Sequence, residues 1–286
     1  MTDKSRGRRL TKAQKAAIME AARDELAVGH PMTLRQVHYR LVARGDTAYT
    51  NTQKDYDNLS RWLRDARLGG SVPWEWIEDR LRVPRTVAMW EDLPDFIETA
   101  RRSYRRDVWV DQPGYVEVWC EKDALSGIFL NALGPYGVTL NVGRGYDSTS
   151  SVKNAADRFD EGGTILYFGD FDPSGEDMVR SLRQRLADPA LPNGGSSPEI
   201  VKCALTFEDI EHHGLPPDFT KTTDSRREAF VAMYGDVAVE LDALPVDALR
   251  ARIVGEVTAR MDLGVLEATE ELEREDRRRI DELLSG

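Results

Sequence analysis

The sequence predicts an α/β protein: an N-terminal helical domain, then a domain built on a mainly parallel sheet, then C-terminal helices. Three observations carry that prediction. Up to about residue 110 the apolar residues recur at helical spacing. From residue 113 short β-branched and aromatic runs alternate with helical stretches, the pattern of strands joined by crossover helices. From Leu244 onward the chain turns helical and highly charged. At 286 residues it is long enough for two cores.

Residues 1–9 are polar and basic and read as a flexible arm. Over 10–27 the alanines and Ile18 keep helical spacing until Gly29 and Pro31 stop it. Thr33 then caps a second helix with the apolar stripe Leu34, Val37, Leu41 and Val42. A third helix over 55–68 sets Leu59, Trp62, Leu63 and Ala66 against Arg61, Arg64 and Arg67 on its other side. Three short helices with a basic outer face resemble a helix-turn-helix or winged-helix module. Residues 69–107, rich in Trp and Arg, read as wing and linker with a helix over 95–106. After Pro113-Gly114 strands are expected at 115–120, 138–142, 164–168 and 200–205, with helices at 124–133, 150–159 and 177–186 between them. Pro173 and Ser174 open the last of these, with Ser174 and Asp177 as a capping pair. The domains are thus an arm (1–9), a DNA-binding domain with linker (10–110), the sheet domain (111–243) and a helical tail (244–286).

Composition narrows the classes of function. With 41% hydrophobic and 31% charged residues and no long apolar run, the chain reads as a soluble, cytoplasmic protein. Cys120 and Cys203 are too few for a disulfide framework and lack zinc-ligand spacing. The net charge of −11 is unevenly spread, +5 over residues 1–110 and −16 over the remainder. A basic N-terminal half can dock on phosphates if cations neutralise part of the acidic remainder. Double-stranded DNA and a nucleoid-associated location fit that distribution.

In an open parallel sheet, function collects at the carboxyl ends of the strands. Two such ends are acidic here. One strand ends at Glu121-Lys122-Asp123 and another runs through Gly169 into Asp170-Phe171-Asp172, Gly169 clearing space before the first Asp. If the strands are neighbours, Glu121, Asp170 and Asp172 converge, and hard oxygen ligands of that number suit magnesium (Mg²⁺). Read alone, Asp170 and Asp172 would cap the next helix and Glu121 would be a solvated strand end. Upstream, Tyr39 lies off the stripe of the second helix with Arg35 one turn before it, a guanidinium beside a phenol. Such a cation favours phenolate and steadies phosphate.

The run Asp170-Phe171-Asp172-Pro173-Ser174-Gly175 after a buried strand, with a preceding strand ending in Glu121, resembles the Toprim site of topoisomerases, primases and related nucleases, a Rossmann-like domain. Together with Arg35-x-x-x-Tyr39 on a helix of a winged-helix-like module, the chain is similar to the topoisomerase VI A subunit and its relative that makes meiotic double-strand breaks. The turn Gly145-Tyr146-Asp147 and the later stretch through Leu215-Pro216-Pro217 to Lys221 share in the likeness. His38 stands where that family is expected to carry Tyr or Phe. The resemblance implies a type IIB-like, Mg²⁺-dependent DNA transesterase. Tyr39 is then the nucleophile, Arg35 and Glu121 assist catalysis, and Glu121, Asp170 and Asp172 hold the metal. Arg61, Arg64, Arg67 and Lys122, with Arg80, Arg82 and Arg85, would touch DNA. Cutting both strands implies a homodimer. No ATPase signature occurs, so any ATP-driven step belongs to a separate B-type subunit. Two other readings stay open: a Toprim endonuclease that cuts by metal-activated water, and a DNA-binding protein without catalysis.

Overall fold

The computed structural model describes residues 10–77, 87–143, 148–191, 194–218, 220 and 224–285. Helix α1 (Lys12–Gly29) starts at Thr11, whose hydroxyl accepts from the Gln14 N–H while the Gln14 side chain accepts from the Thr11 N–H. Thr33 and Gln36 cap α2 (Leu34–Arg44) by the same reciprocal pair, and Gly45 ends it in the left-handed conformation at φ 64°. Thr52 caps α3 (Gln53–Leu68), and a 3-10 turn follows at Trp74–Trp76. Next come α4 (Leu93–Ser103), β1 (Val116–Cys120), α5 (Ser126–Leu133), β2 (Thr139–Val142), α6 (Thr149–Arg158) and β3 (Thr164–Phe168). The chain goes on through α7 (Pro173–Leu186), β4 (Glu199–Ala204), α8 (Phe207–His213), α9 (Arg227–Tyr234), α10 (Val246–Thr258) and α11 (Leu263–Ser285). Because α7 begins at Pro173, Asp172 precedes its first turn and Ser174 lies inside it. Ser174, expected to pair with Asp177 as the cap, is thus the second residue of the helix and does not precede it.

The four strands form one parallel sheet in the order β2-β1-β3-β4. Parallel strands need crossovers, and the helices that make them cover both faces. Trp119, Ile165 and Tyr167 pack on Val152, Ala155, Ala156 and Phe159 of the α6 side and on Met178, Val179, Leu182 and Leu186 of α7. On the other face Phe168 meets Phe129 of α5 edge to face at 5.1 Å. The first crossover leads from β1 to β2 at one edge, and the chain then returns to the opposite side of β1 to lay down β3. The strand order reverses between β1 and β3, the switch point at which open sheets of this kind bind ligands. One polar residue sits inside the sheet: Glu117 of β1 is fully buried. It pairs with Arg158 and accepts from the Tyr115 hydroxyl at 2.8 Å and the Trp119 indole at 2.9 Å.

Compact units do not follow the linear division expected at residues 110 and 243. One unit comprises residues 1–79, 170–173 and 205–249, and the other 80–169, 174–204 and 250–286. In the first, Ile18, Ala22 and Leu26 of α1, Val37 and Leu41 of α2, and Leu59 and Leu63 of α3 are buried together with Met32. Leu34 and Val42, expected on the core stripe, are only half-buried, whereas Gln36 and His38 are inside. The expected wing is not seen among the described residues of 69–107. That stretch gives the 3-10 turn, α4 and a single bridge between Ile77 and Met32. Its tryptophans pack on side chains of and next to the helices: Trp76 stacks on His30, just past α1, at 5.0 Å and Trp74 lies under Arg67 of α3.

In the second unit the C-terminal helix α11 returns to α4. Arg101 bonds Asp281 at 2.8 Å, and both Arg106 and the Tyr104 hydroxyl bond Asp276 at 2.7 Å. Among the described residues no helix is long and apolar enough to cross a membrane.

Candidate active site

The neighbour relation on which the carboxylate reading depends is met. β1 and β3 run side by side with Cys120 opposite Phe168, and the Glu121 N–H extends the ladder to the Phe168 carbonyl at 2.9 Å. Glu121 therefore leaves the sheet beside Gly169. A Cβ built on Gly169 would stand 2.6 Å from Glu121 Oε2 and 2.7 Å from the Tyr167 ring, so the glycine is required for space. Lys122, half-buried, starts the short 3-10 turn Asp123–Leu125 through its carbonyl, which accepts from the Leu125 N–H.

Asp170 and Asp172 belong to the N-terminal unit. Between them Phe171 is clamped by two backbone bonds of 2.9 Å to Val239. Its ring is buried against Phe207, Phe230 and Tyr234 at 5.1 to 6.1 Å. Extended backbone sends neighbours to opposite faces, so anchoring Phe171 inward turns both carboxylates the other way. They line a pocket of about 100 Å³ together with Tyr39, Pro173, Pro216, Asp218, Asp224, Ala238, Val239 and Glu240. A second bridge, Asp218 to Ala238, holds the far wall. Sequence reading missed Asp218, Asp224 and Glu240, which come from a stretch without strong periodicity and reach the pocket only through those bridges.

Tyr39 is half-buried, off the core as its place on the helix predicts. Arg35, on the same helix, is ion-paired with Glu240. Burial works against the Arg35 charge, but Glu240, then Asp242 and the Tyr39 oxygen, outweigh it and hold the guanidinium more firmly protonated than usual. The cation is thus shared between Glu240 and the neighbourhood of Tyr39. Asp170 accepts the Leu241 N–H at 2.7 Å, and Asp224 takes Arg226 through both its oxygens at 2.8 and 3.1 Å. Behind Tyr39, His38 is buried and bonds the Tyr49 hydroxyl at 2.7 Å and Asn51 at 3.0 Å.

Of the residues expected to touch DNA, Arg61 and Arg64 are exposed on α3, Arg61 bonded to Asn58 and Arg64 to Asp65. Arg67 is engaged otherwise. It is half-buried, donates to the carbonyls of Trp74 and Ile77 at 3.0 and 3.2 Å, and lies 4.3 Å from the Trp74 ring centre, which makes it a brace for the 3-10 turn. Arg80, Arg82 and Arg85, the turn Gly145-Tyr146-Asp147 and Lys221 lie outside the described residues.

The pocket's donors suit Mg²⁺ in kind, being hard carboxylate oxygens. As they stand, however, no three His, Cys, Asp or Glu side chains among the described residues are gathered closely enough to share an ion. Glu121 lies on the sheet unit, and Asp170 and Asp172 lie on the N-terminal unit. Comparison with protein-family models, with curated proteins and with solved structures finds no match for this chain.

Proposed function

We propose that the chain is a Mg²⁺-dependent DNA-breaking transesterase similar to the topoisomerase VI A subunit, with Tyr39 as nucleophile and Glu121, Asp170 and Asp172 holding the metal. The observation that carries the reading is that Tyr39 and the pair Asp170 and Asp172, distant by some 130 residues in sequence, line one pocket. A pocket of about 100 Å³ holds roughly three waters' worth of volume, far less than a nucleotide-sized ligand needs. It suits a single phosphate group that enters from a bound strand. Bound Mg²⁺ supplies Lewis acidity and offsets the carboxylates that would otherwise repel that phosphate.

The chain's own residues do the rest. The Tyr39 oxygen attacks phosphorus, forming a phosphotyrosyl ester as the bond from phosphorus to one sugar oxygen breaks. The phenolic proton passes to a carboxylate of the pocket, and the departing sugar oxygen takes up a proton from water. Arg35 stabilises the phenolate and the added charge on phosphate, with Glu240 fixing its direction. Arg61, Arg64 and Lys122 are the cations for the DNA backbone, and two copies of the chain cut the two strands. Ester exchange keeps the energy of the phosphodiester, so the break reseals without ATP; an ATPase partner is needed only for coupled strand passage.

The test is to incubate the protein with supercoiled DNA and Mg²⁺, quench with detergent, and look for protein joined to broken ends. Wild type is expected to form the adduct and Tyr39→Phe to form none. Free ends from both proteins at equal rates would assign the attack to water, and no breakage by either would leave DNA binding without catalysis.

A further inference from the structure

Transesterification as described makes no use of His38, yet it is among the few polar side chains buried in the N-terminal unit. Its ring stands edge to face against three phenols, Tyr39 at 5.0 Å, Tyr56 at 5.3 Å and Tyr49 at 5.4 Å between ring centres. Both ring nitrogens are held. Asn51 Oδ1 is 3.0 Å from Nε2 and can only accept, so Nε2 carries the proton. Nδ1 then accepts from the Tyr49 hydroxyl at 2.7 Å. Two bonds at opposite ends of a planar ring forbid rotation about its side-chain axis, and the tautomer is fixed by the same two partners. The ring so locked is the wall against which the Tyr39 phenol rests.

We propose that His38 is a positioning residue for Tyr39: a neutral imidazole, locked by Tyr49 and Asn51, that sets the plane of the attacking phenol. The proposal rests on the transesterase reading. Near-attack geometry is exacting, and a displacement of about 1 Å can cost on the order of a hundredfold in rate. Burial keeps the imidazole less basic than usual, with Asn51 opposing in part. Charges that face it come from three elements: Arg35 on its own helix disfavours a second proton, while Glu240 and Asp55 favour it. A proton on Nδ1 makes that nitrogen a donor, so the Tyr49 hydroxyl must swing its own hydrogen away and accept instead, and the reversed bond shifts the ring on which Tyr39 rests. The rate of attack by Tyr39 therefore falls on the acid side, at a pH below the ordinary imidazole range.

The experiment measures single-turnover adduct formation on supercoiled DNA with Mg²⁺ across a pH series for wild type, His38→Phe, Tyr49→Phe and Tyr39→Phe, with DNA affinity measured separately. Phe at 38 keeps a ring against Tyr39 but loses both hydrogen bonds; Tyr49→Phe removes one bond and leaves every ring in place. Both are expected to bind DNA as wild type does and to form adduct about ten to a hundred times more slowly. The acid limb of the wild-type profile disappears in His38→Phe. Should that variant not fold, Tyr49→Phe decides the rate, and imidazole nitrogen resonances of the wild type decide the tautomer. Wild-type rates and an unchanged acid limb in the variants, or a proton resident on Nδ1, overturn the proposal while the nucleophile stands. Absence of adduct from wild type, with Tyr39→Phe cutting equally well, overturns the transesterase reading and this proposal with it.

Discussion

Replacing Gly169 with alanine adds one methyl group at the place where β3 hands the chain to Asp170. Its φ lies outside the left-handed region, so an alanine meets no backbone strain there and only space decides the outcome. The new Cβ would sit 2.6 Å from Glu121 Oε2 and 2.7 Å from Cε1 of Tyr167. A carboxylate at the end of a flexible side chain can swing aside. The Tyr167 ring cannot do so freely, because it is buried among Trp119, Ile165 and Met178 in the sheet core. Overpacking of this kind costs about 1 to 3 kcal/mol, a fall in melting temperature of roughly 2 to 5 °C for a chain of this size. The larger effect falls on chemistry. Displacing Glu121 by about 1 Å is expected to reduce Mg²⁺-dependent adduct formation on the order of a hundredfold. Gly255→Ala is the matched control: nothing lies within 4 Å of its Cβ, and in the interior of α10 it should stabilise by about 0.5 to 1 kcal/mol. Thermal unfolding and quenched adduct assays over a Mg²⁺ titration read both effects. A Gly169→Ala protein with wild-type melting temperature and wild-type Mg²⁺ dependence would refute the argument that Glu121 is held there for the metal.

Arg158→Ala removes the guanidinium that pairs with the buried Glu117 while Tyr115 and Trp119 go on donating, so urea unfolding should show a loss of about 2 to 4 kcal/mol, and adding Glu117→Gln should restore part of it. At low pH the contact of α4 with α11 should loosen first. Hydrogen bonds from Arg101 and Arg102 hold the Glu98 carboxyl down at about 2, and those from Tyr104 and Arg106 keep Asp276 below the usual carboxylate range. Groups depressed in the folded state lend stability that is present above their unfolded pKa and lost as pH falls toward the folded one, here between about 4.5 and about 2 for Glu98. Hydrogen exchange of residues 93–106, corrected for its intrinsic pH dependence, should rise in that window ahead of exchange in β1 and β3; uniform protection down to global unfolding would contradict it.

The parallel sheet was legible because its strands are short apolar runs whose neighbours on both faces are helices, so Thr164–Phe168 and Val116–Cys120 were found at their observed positions within a residue. Capping chemistry placed α2 through Thr33, since a hydroxyl at that position has a backbone partner wherever the helix goes. Periodicity was a poorer guide to burial on that helix, where Gln36 and His38 are inside because each finds hydrogen bonds there. Within the pocket, Tyr39, Asp170 and Asp172 were legible from local pattern. Asp218, Asp224 and Glu240 were not, because single bridges at Phe171 and Asp218 bring them in, and a single bridge leaves no periodic trace. Arg67 misled for a similar reason: its spacing with Arg61 and Arg64 says nothing of the carbonyls it meets at Trp74 and Ile77.

Interleaving of the two units also bears on how the chain is made. The N-terminal helices form early on the ribosome, but their unit is completed by residues 170–173 and 205–249. That is about 170 residues after the first segment has emerged, or on the order of 10 to 30 s of translation. For about the first half of that interval Tyr39 has neither wall of its pocket, and afterwards it has only the one that Asp170 to Pro173 supply. A nascent or truncated chain that stops short of residue 249 therefore carries the Tyr39 phenol without its complete pocket.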